Sequence, residues 1–359
     1  MFVRIIYVFV IYLYKYSILL YYKMYFCGEK GYLNLLKDTL ANGEIKTTRN
    51  GNVISIFGCM VNFKNISSSF PLITTKRMFF RGIVEELLWF LRGSTNANEL
   101  KQKNIHIWDG NSSRQYLDSI GLDYPEGELG PVYGWQWRKF GKVYEAPDED
   151  IYNDITDTTD TTDTTDTSDS DGVANPYNYS NKIDLNGIDQ IKYVLEELSK
   201  DNNSRRAVLS GWNPTDLKKM ALPPCHILYI FNRSSKGLSC HMTLRSSDLF
   251  LGLPFNISST ALLTQILAHI LHISANEISL SICDAHIYEE HIPQVNKQIT
   301  SGSSDPSGLY DFPKVIIKKD APFINASIED KLRWIESLLY DDFELSNYKC
   351  GATLNAIMK

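Results

Sequence analysis

Apolar and polar residues are arranged along the chain in a pattern that predicts both helices and strands. Apolar residues recur at helical spacing in three segments, and a fourth is apolar on nearly every side, which predicts a buried helix. These four segments are residues 32–40, 80–92, 188–198 and 257–272. Residues 51–63 alternate in part and predict a strand, and residues 226–244 predict a hairpin that turns at residues 232–237. The mixture favours an α+β domain with a largely antiparallel or mixed sheet.

Two segments interrupt this pattern. Residues 1–23 are apolar and aromatic, but they contain Arg4 and Lys15 and no small-residue cleavage site. A weak membrane anchor is therefore less favoured than a surface extension or a working start at Met24. Residues 146–182 contain an Asp-Thr-Thr repeat with almost nothing apolar to bury, so we expect an acidic, low-complexity surface loop.

Composition and charge exclude several classes of protein. The 359 residues are 43% hydrophobic, which is enough for a sizeable core and excludes a disordered chain. Basic residues number 36 against 42 acidic ones, so DNA binding is not expected. The 6 cysteines are scattered without a C-x-x-C pair, which fits a reducing compartment, and we expect a cytoplasmic protein. His269 and His272 lack acidic or cysteine partners, so we expect packed histidines and no metal site.

A cysteine at the start of a predicted strand is the candidate nucleophile. Two prolines fix the backbone just before Cys225, so its thiol would be rigidly aimed, although a lone cysteine is more often part of a core. The neighbouring His226 should point to the opposite face of the strand, which disfavours a Cys–His dyad. Nearby positive charge would have to activate the thiol instead.

Arginines near this cysteine in the predicted topology could supply that charge. Arg205 and Arg206 lie upstream, and Arg245 with Ser246 ends the returning strand of the hairpin. Several guanidinium groups and a hydroxyl suit a phosphate dianion, whereas either upstream arginine alone would be explained by a surface ion pair.

Two adjacent glutamates in the predicted helix 80–92 have different surroundings. The core face of this helix consists of Phe80, Ile83, Val84, Leu87, Leu88 and Leu91. Glu85 lies beside Arg81 and Arg92 and should be a solvated, ion-paired residue. Glu86 lies near two aromatic residues, where its pKa should be raised enough for proton transfer near neutral pH; a flanking surface glutamate is the alternative.

Polar residues downstream suggest contacts to a nucleoside. Asn256 follows a Gly-Leu-Pro break and is either the N-cap of the buried helix or an amide that reads a base edge. Asp284, His286 and Tyr288 alternate in a strand and share one face. Such a row would suit ribose hydroxyls if it faced a cleft.

Several longer stretches of the chain occur in a characteristic order. They are PLITTKR (71–77), EELLWFLRGSTN (85–96), IHIWDGN (105–111), GPVYGWQWR (130–138), SRRAVLSGWNP (204–214), MALPPCH (220–226), LRSSDLFLGLPFN (244–256), DAHIYEEH (284–291), FPKVIIKK (312–319) and DDFELSNY (341–348). In these stretches the chain resembles the thymidylate synthase family, from about residue 30 to the end apart from the acidic insertion.

The resemblance implies a fold and an activity. Residues 24–359 would form a catalytic domain with the family's α+β three-layer fold, whose large mixed sheet forms the interface of a homodimer. The reaction would be the reductive methylation of dUMP to dTMP. Its co-substrate would be 5,10-methylenetetrahydrofolate, released as dihydrofolate, without a metal. A separate dihydrofolate reductase would recycle that product.

The resemblance also implies roles for individual residues. Cys225 would add to C6 of the uracil, Glu86 would move protons, and Tyr133 would assist removal of the C5 proton. Residues implied at the nucleotide are Arg49, Arg245, Ser246, Asn256, His286 and Tyr288, with Arg205 and Arg206 from the second subunit. Residues implied at the folate are Lys76, Trp108, Asp248, Leu251, Gly252 and Phe255. The catalytic set implied by the resemblance is Cys225, Glu86 and Tyr133 together with Arg245, Asp248 and Asn256.

The chain departs from the family pattern at three places. The loop at Arg49 is about one residue shorter, Leu244 stands where the family usually has Gln, and the tail lacks the usual His-Pro step. Two alternatives stay open: a pyrimidine hydroxymethylase, which would carry Asp at position 256 for a cytosine substrate, and an inactive homologue that binds RNA or protein.

Overall fold

A large mixed sheet forms the centre of the fold. The computed structural model describes residues 26–147, 187–303 and 309–358. The strands are β1 (Phe26–Cys27), β2 (Glu44–Thr48), β3 (Gly51–Lys64), β4 (Val208–Ser210), β5 (His226–Ser234), β6 (Gly237–Asp248), β7 (Ala275–Tyr288), β8 (Lys314–Ile317) and β9 (Phe343–Ser346). The helices are α1 (Gly28–Asn42), α2 (Phe80–Leu91), α3 (Asn98–Gln102), α4 (Asp109–Ser112), α5 (Arg114–Ser119), α6 (Tyr133–Lys139), α7 (Gln190–Lys200), α8 (Gly252–Ile270), α9 (Ile292–Ser303) and α10 (Ile328–Glu336).

The sheet contains 7 strands in the order β1-β3-β7-β6-β5-β4, with β2 paired to β3. The β3–β7 and β5–β6 pairs are antiparallel, whereas the central β6–β7 pair is parallel. A separate two-stranded sheet joins β8 to β9. The expected α+β class with a large mixed sheet is therefore confirmed.

The two faces of the sheet have different compositions. One row across it consists of Tyr229, Met242, Leu280 and Val61, all of which are buried. The adjacent row on the opposite face consists of Leu228, Thr243, Ser281 and Met60, all of which keep partial exposure. Helix α8 packs on β6 and β7, and α1 packs on β3. We call these two surfaces the inner face, which lies against the core, and the outer face.

The sequence pattern located the main elements within a few residues. The predicted strand 51–63 is β3, and the predicted helices correspond to α1, α2, α7 and α8. The predicted hairpin is β5–β6, but its strands extend to Ser234 and Gly237, so the turn is tighter than the pattern indicated. The apolar α8 is buried along most of its length, as predicted.

Two predicted segments fall largely outside the described residues. They are the apolar residues 1–23 and the acidic insertion 146–182, of which only Ala146 and Pro147 are described. Over the described ranges, the structure contains no helix with the length and apolar character that a membrane span requires.

Candidate active site

Cys225 lies directly before β5, beside the guanidinium group of Arg245. That group donates from Nε to the carbonyl oxygen of Pro224 and from Nη2 to that of Pro223, both at 2.8 Å. Nη2 also lies 3.8 Å from the Cys225 sulfur. The two proline carbonyls thus orient the arginine, and the arginine places positive charge where a thiolate would form.

His226 is turned away from this thiol. Its Nδ1 lies 3.0 Å from the Tyr229 hydroxyl, and its ring centroid lies 4.3 Å from that of Tyr133 and 5.7 Å from that of Phe90. Burial among these rings lowers the pKa of His226 to about 3, so the imidazole is neutral at physiological pH. The prediction that Cys225 and His226 form no dyad is consistent with this geometry.

Tyr133 contacts the backbone of the candidate nucleophile. It begins α6, and its hydroxyl accepts a hydrogen bond of 3.0 Å from the backbone N–H of Cys225. Its ring stacks on Phe90 with centroids 5.0 Å apart. Burial, reinforced by the nearby Cys225, raises the pKa of Tyr133 well above 10, so the hydroxyl keeps its proton and can donate it in a hydrogen bond.

Glu86 is the carboxyl group with a suitable pKa for proton transfer. Protein atoms surround it, although its side chain keeps partial access to solvent, and Trp108 Nε1 donates to its Oε1 at 2.9 Å. Desolvation raises the pKa of Glu86 to about 7, and the tryptophan hydrogen bond opposes that rise. The group can therefore change its protonation state near neutral pH, as its apolar surroundings predicted.

The interpretation of Glu85 as an ion-paired residue was correct, but its predicted solvation and its predicted partners were wrong. Its side chain is buried, and its carboxylate pairs with Lys103 Nζ at 2.6 Å. The predicted neighbours are engaged elsewhere, since Arg92 donates to the carbonyl of Glu336 and Arg81 lies over the ring of Tyr340. Helical spacing identified neighbours along α2, but the partner of Glu85 comes from a later segment.

The start of α8 brings together the residues implied at the folate. Asp248 ends β6, and its Oδ1 accepts a 2.8 Å hydrogen bond from the backbone of Phe250. Leu251, Gly252 and Phe255 follow and are partly exposed. Helix α8 also packs on α2, the helix that carries Glu86.

Asn256 does not cap this helix. Helix α8 begins at Gly252, and Leu251 holds the cap position without a side-chain hydrogen bond. Asn256 therefore lies in the second turn, and its side chain is partly exposed. With the capping alternative excluded, the amide is available for a ligand.

The polar row predicted from alternation is present on β7. His286 Nδ1 lies 2.9 Å from Asp284 Oδ1, and the rings of His286 and Tyr288 meet edge to face with centroids 5.2 Å apart. Burial raises the pKa of Tyr288, and Asn50 and Arg49 in the β2–β3 turn oppose that rise. The turn that carries Arg49 is therefore close to Tyr288, which places its positive charge near the row.

Lys76 has an inward orientation. It is buried, its ammonium group donates to the carbonyl oxygen of Phe250, and it lies 3.8 Å from the centroid of that ring. Burial lowers the pKa of Lys76 to about 8, and the charge of Asp248 opposes this change. To meet the glutamate tail of a folate, the ammonium group would have to turn outward.

Arg205 and Arg206 are exposed in the loop before β4. Neither guanidinium has an ion-pair partner within the described residues. Ser246 is aligned with Asp284 across β6 and β7, at the same end of the sheet as Arg245.

The described ranges contain no cluster of three His, Cys, Asp or Glu residues that could hold a metal ion. His269 stacks on Trp334 with centroids 5.6 Å apart, and His272 Nε2 lies 2.8 Å from the carbonyl oxygen of Pro322. His269 is therefore packed, as predicted, whereas His272 is exposed and contacts the backbone, so that part of the prediction was wrong.

Two groups of contacts near the site were missed from the sequence. The carbonyls of Pro223 and Pro224 orient Arg245, and His291 lies next to Asp248, Tyr288 and the C-terminal segment. His291 belongs to the stretch DAHIYEEH that carried the resemblance, so its position was available as a signal. Its contacts come from residues that are distant in the sequence, including the tail, so no local sequence pattern predicts them.

Comparison with known proteins agrees with this geometry. The model of the family described as thymidylate synthase matches residues 30–359. The chain is 39% identical to thymidylate synthase 1/2 of Encephalitozoon cuniculi, over 89% of this chain and 93% of that protein. It is 41% identical to bifunctional dihydrofolate reductase-thymidylate synthase 1 of Arabidopsis thaliana, over 88% of this chain and 52% of that protein. A rice protein described as a putative bifunctional dihydrofolate reductase-thymidylate synthase is 42% identical over 89% of this chain and 55% of its own length.

The fold places Cys225 beside Arg245, directly before strand β5 of the large mixed sheet. The chain belongs to the thymidylate synthase family, since the family model covers most of it. It spans about half the length of the bifunctional plant relatives that it matches.

Proposed function

We propose that this chain is a thymidylate synthase that methylates dUMP to dTMP with 5,10-methylenetetrahydrofolate and releases dihydrofolate. The observation that carries the proposal is the arrangement around Cys225. One guanidinium lies 3.8 Å from the sulfur, and a carboxyl group with a pKa of about 7 lies on the neighbouring helix α2. In this arrangement Cys225 would be the nucleophile and Glu86 the proton carrier of one site.

Cys225 begins the proposed reaction. Its sulfur forms a bond to C6 of the uracil, the C5–C6 double bond opens, and negative charge spreads over C5 and O4. The ring carbon C5, which is unreactive in free uracil, thereby becomes nucleophilic. Arg245 stabilises negative charge on the sulfur before attack and after its release, because it is fixed by the two proline carbonyls.

Glu86 and Tyr133 manage the protons of this adduct. With a pKa of about 7, Glu86 can give a proton towards O4 and recover it without a large energetic cost. Tyr133 remains protonated and lies against the Cys225 backbone, so its hydroxyl can orient the group that removes the C5 proton. After C5 has bonded to the methylene carbon, loss of the C5 proton breaks the bond from that carbon to the folate nitrogen and leaves an exocyclic methylene. Hydride from the folate then reduces this methylene to the methyl group, the C5–C6 double bond re-forms, and the cysteine leaves as the thiolate.

The nucleotide is held by groups at the end of the sheet. Arg245, Ser246 and Arg49 suit the phosphate, and the Asp284–His286–Tyr288 row presents polar atoms to the ribose. The amide of Asn256 offers both a donor and an acceptor, which match N3–H and O4 of uracil. A carboxylate at that position would match cytosine instead.

The folate residues fit a planar, partly apolar ligand with a polar edge. Trp108, Leu251 and Phe255 supply apolar surface, and Asp248 supplies the polar group beside Gly252. The bound co-substrate contributes the carbon unit and the hydride. Lys76 would attract its glutamate tail. Reduction of the dihydrofolate product requires a further activity, which we assign to a domain or polypeptide other than residues 30–359.

We also infer a homodimer with the family's three-layer arrangement, joined through the outer face. Two neighbouring rows there contain Leu228, Thr243, Ser281 and Met60, and Ile230, His241, Ser279 and Asn62. These rows contain no Asp, Glu, Lys or Arg, and only a protonated His241 would add a charge. An uncharged surface of this kind favours contact between two sheets. The exposed Arg205 and Arg206 would then reach the phosphate site of the second subunit.

The test of this function is the formation of dihydrofolate, followed by absorbance, with dUMP and methylenetetrahydrofolate. We expect activity in the wild type and none in Cys225→Ser. Asn256→Asp should shift the preference towards the cytosine nucleotide. Full activity of the serine variant would overturn the covalent mechanism. Release of hydroxymethyl nucleotide without dihydrofolate would indicate a hydroxymethylase, and an inactive wild type that binds dUMP would indicate a binding homologue.

A further inference from the structure

His291 is a buried histidine for which the mechanism above has no role. It ends the short turn Glu289–His291 after β7, and its side chain is only 1% exposed. Its ring lies between two aromatic side chains, with centroids 5.6 Å from Phe250 and 5.4 Å from Tyr288. These contacts fix the plane of the imidazole, so the directions of its two nitrogens are fixed as well.

The two nitrogens face different parts of the molecule. Nε2 lies 2.9 Å from the carbonyl oxygen of Ile357, and a carbonyl can only accept, so Nε2 carries a proton and donates it. Nδ1 lies 3.6 Å from Oδ2 of Asp248, which is an ion pair when the imidazole is doubly protonated. One ring therefore connects the C-terminal segment to the carboxylate assigned to the folate.

The hydrogen bond between His291 and the Ile357 carbonyl is one of the contacts that attach the end of the chain. Two backbone hydrogen bonds attach the beginning of the C-terminal segment, from Gly351 N–H to Thr74 at 2.8 Å and from Arg77 N–H to Ala352 at 3.3 Å. Leu354 and Ala356 pack partly against the core, whereas the side chains of Ile357 and Met358 at the very end are 71% and 57% exposed and add little burial. Beyond Ala352, the polar contact that attaches this segment within the described residues is the hydrogen bond from His291 to the carbonyl of Ile357.

We propose that His291 is a positioning residue that fastens the C-terminal segment beside the folate site through its bond to Ile357. Asp248 and the flanking rings of Phe250 and Tyr288 hold the imidazole in the orientation that this bond requires. Because Tyr288 belongs to the nucleotide row, the same ring connects the nucleotide side, the folate side and the tail. The consequence for folate binding rests on the function proposed above, whereas the attachment of the tail does not.

The chemistry of the ring suggests two informative variants. In His291→Gln the amide nitrogen can take the place of Nε2 and still donate to Ile357. In His291→Asn the shorter amide corresponds to Nδ1, so it can face Asp248 but does not reach the tail. His272→Asn is the matched control, because that histidine also contacts a backbone carbonyl, 2.8 Å from its Nε2, but lies outside the site.

Limited digestion with trypsin tests the attachment without any substrate. Lys349 is exposed, and cleavage after it releases residues 350–359, which can be quantified by mass spectrometry. Loss of one hydrogen bond should make this release about fivefold to tenfold faster in His291→Asn. His291→Gln and His272→Asn should behave like the wild type. Equal release from all four proteins would overturn the proposal.

Steady-state kinetics test the consequence for the reaction. We expect His291→Asn to raise KM for methylenetetrahydrofolate about fivefold to tenfold, with the Kd for dUMP unchanged and KM restored in His291→Gln. In a chain that ends at Ala356, His291→Asn should cause no further increase, since the carbonyl partner is already absent. Equal, independent losses from the substitution and the truncation would contradict the proposed contact. An inactive wild type with the expected digestion pattern would reject the function but not the attachment.

Discussion

Two neighbouring glutamates of α2 show how the surroundings of a residue decide its chemistry. Glu85 pairs with Lys103 at 2.6 Å, so its negative charge is compensated. Among the described residues, the hydrogen bond to Glu86 comes from a neutral donor, Trp108, and desolvation raises its pKa to about 7. The first carboxylate is structural, whereas the second can exchange a proton near neutral pH.

Replacement of Glu86 by Gln should separate catalysis from stability. The amide keeps the shape and can accept from Trp108, but it cannot transfer a proton, so kcat should fall about 10²–10⁴-fold while dUMP still binds. This is measured by initial rates and by calorimetric titration with dUMP. An unchanged kcat would remove Glu86 from the mechanism.

The same substitution should alter the pH dependence of stability. The folded pKa of about 7 lies above the ordinary value of 4.5, so the native state favours the protonated acid. The resulting stabilisation is present below pH 4.5 and is lost as pH rises through 7. Glu86→Gln should therefore be more stable than the wild type at pH 8, by on the order of 1–3 kcal/mol, and similar at pH 4.5. A difference that does not depend on pH, measured by denaturant unfolding, would contradict the assigned pKa.

At this scale the sequence predicted residue types better than partners. Cys225, Glu86 and the β7 row followed from local spacing. Lys103 as the partner of Glu85, and the proline carbonyls that orient Arg245, were not predictable because they come from contacts between separate segments. Asn256 was ambiguous because a Gly-Pro break does not fix the residue at which a helix begins.

At the scale of elements, the approach to α6 determines where Tyr133 lies. Gly130 has a φ of +73°, and an added Cβ would meet the carbonyl oxygen of Lys219 below contact distance. The next hydrogen bond, from Ala221 N–H to Leu129 O at 2.9 Å, joins this loop to the segment that leads to Cys225. The glycine thus permits a close approach between the two segments that carry the tyrosine and the nucleophile.

Gly130→Ala should destabilise the protein more than a matched substitution does. Gly121 has the same φ of +73°, but nothing lies within 4 Å of its added Cβ. Both alanines pay the strain of the left-handed conformation, about 1–2 kcal/mol, and only Gly130→Ala adds the clash. Denaturant unfolding should show the larger loss for Gly130→Ala, with a lower kcat. Equal losses would mean that the close approach has no energetic role.

The elements themselves were largely predictable, because periodicity reports which faces are buried. Helix α8 was recognised from its apolar character on nearly every side. Its start at Gly252 was missed because Pro254 is compatible with a first helical turn as well as with a loop. The β5–β6 strands were longer than predicted because polar residues occupy the exposed positions of a hairpin turn and of a strand alike.

At the scale of the whole molecule, the two faces of the sheet differ in how far other elements cover them. The inner face is covered by α1 and α8, whereas the outer rows keep exposure in the single chain, with Ile230 at 37%. The order of the strands was not available from local pattern, since it depends on how distant segments pair. A mixed sheet was predictable, but its parallel β6–β7 centre was not.

Mixing two inactive proteins should restore activity if subunits share sites. One protein would carry Arg205→Glu and Arg206→Glu, and the other Cys225→Ser. In a mixed dimer, one site combines an intact cysteine with intact arginines, so random exchange should restore about a quarter of wild-type activity. The measurement is dihydrofolate formation before and after co-refolding. No recovery, with dimers verified by light scattering, would contradict the shared site.

The most direct test of the account is the covalent bond itself. A fluorine at C5 of dUMP cannot leave as the proton does, so 5-fluoro-dUMP with methylenetetrahydrofolate should stop the reaction with the sulfur still attached to C6. Mass spectrometry should then find one nucleotide and one folate on the peptide that contains Cys225, and none in Cys225→Ser. Absence of the adduct, or its attachment to another cysteine such as Cys283 or Cys350, would contradict the central claim.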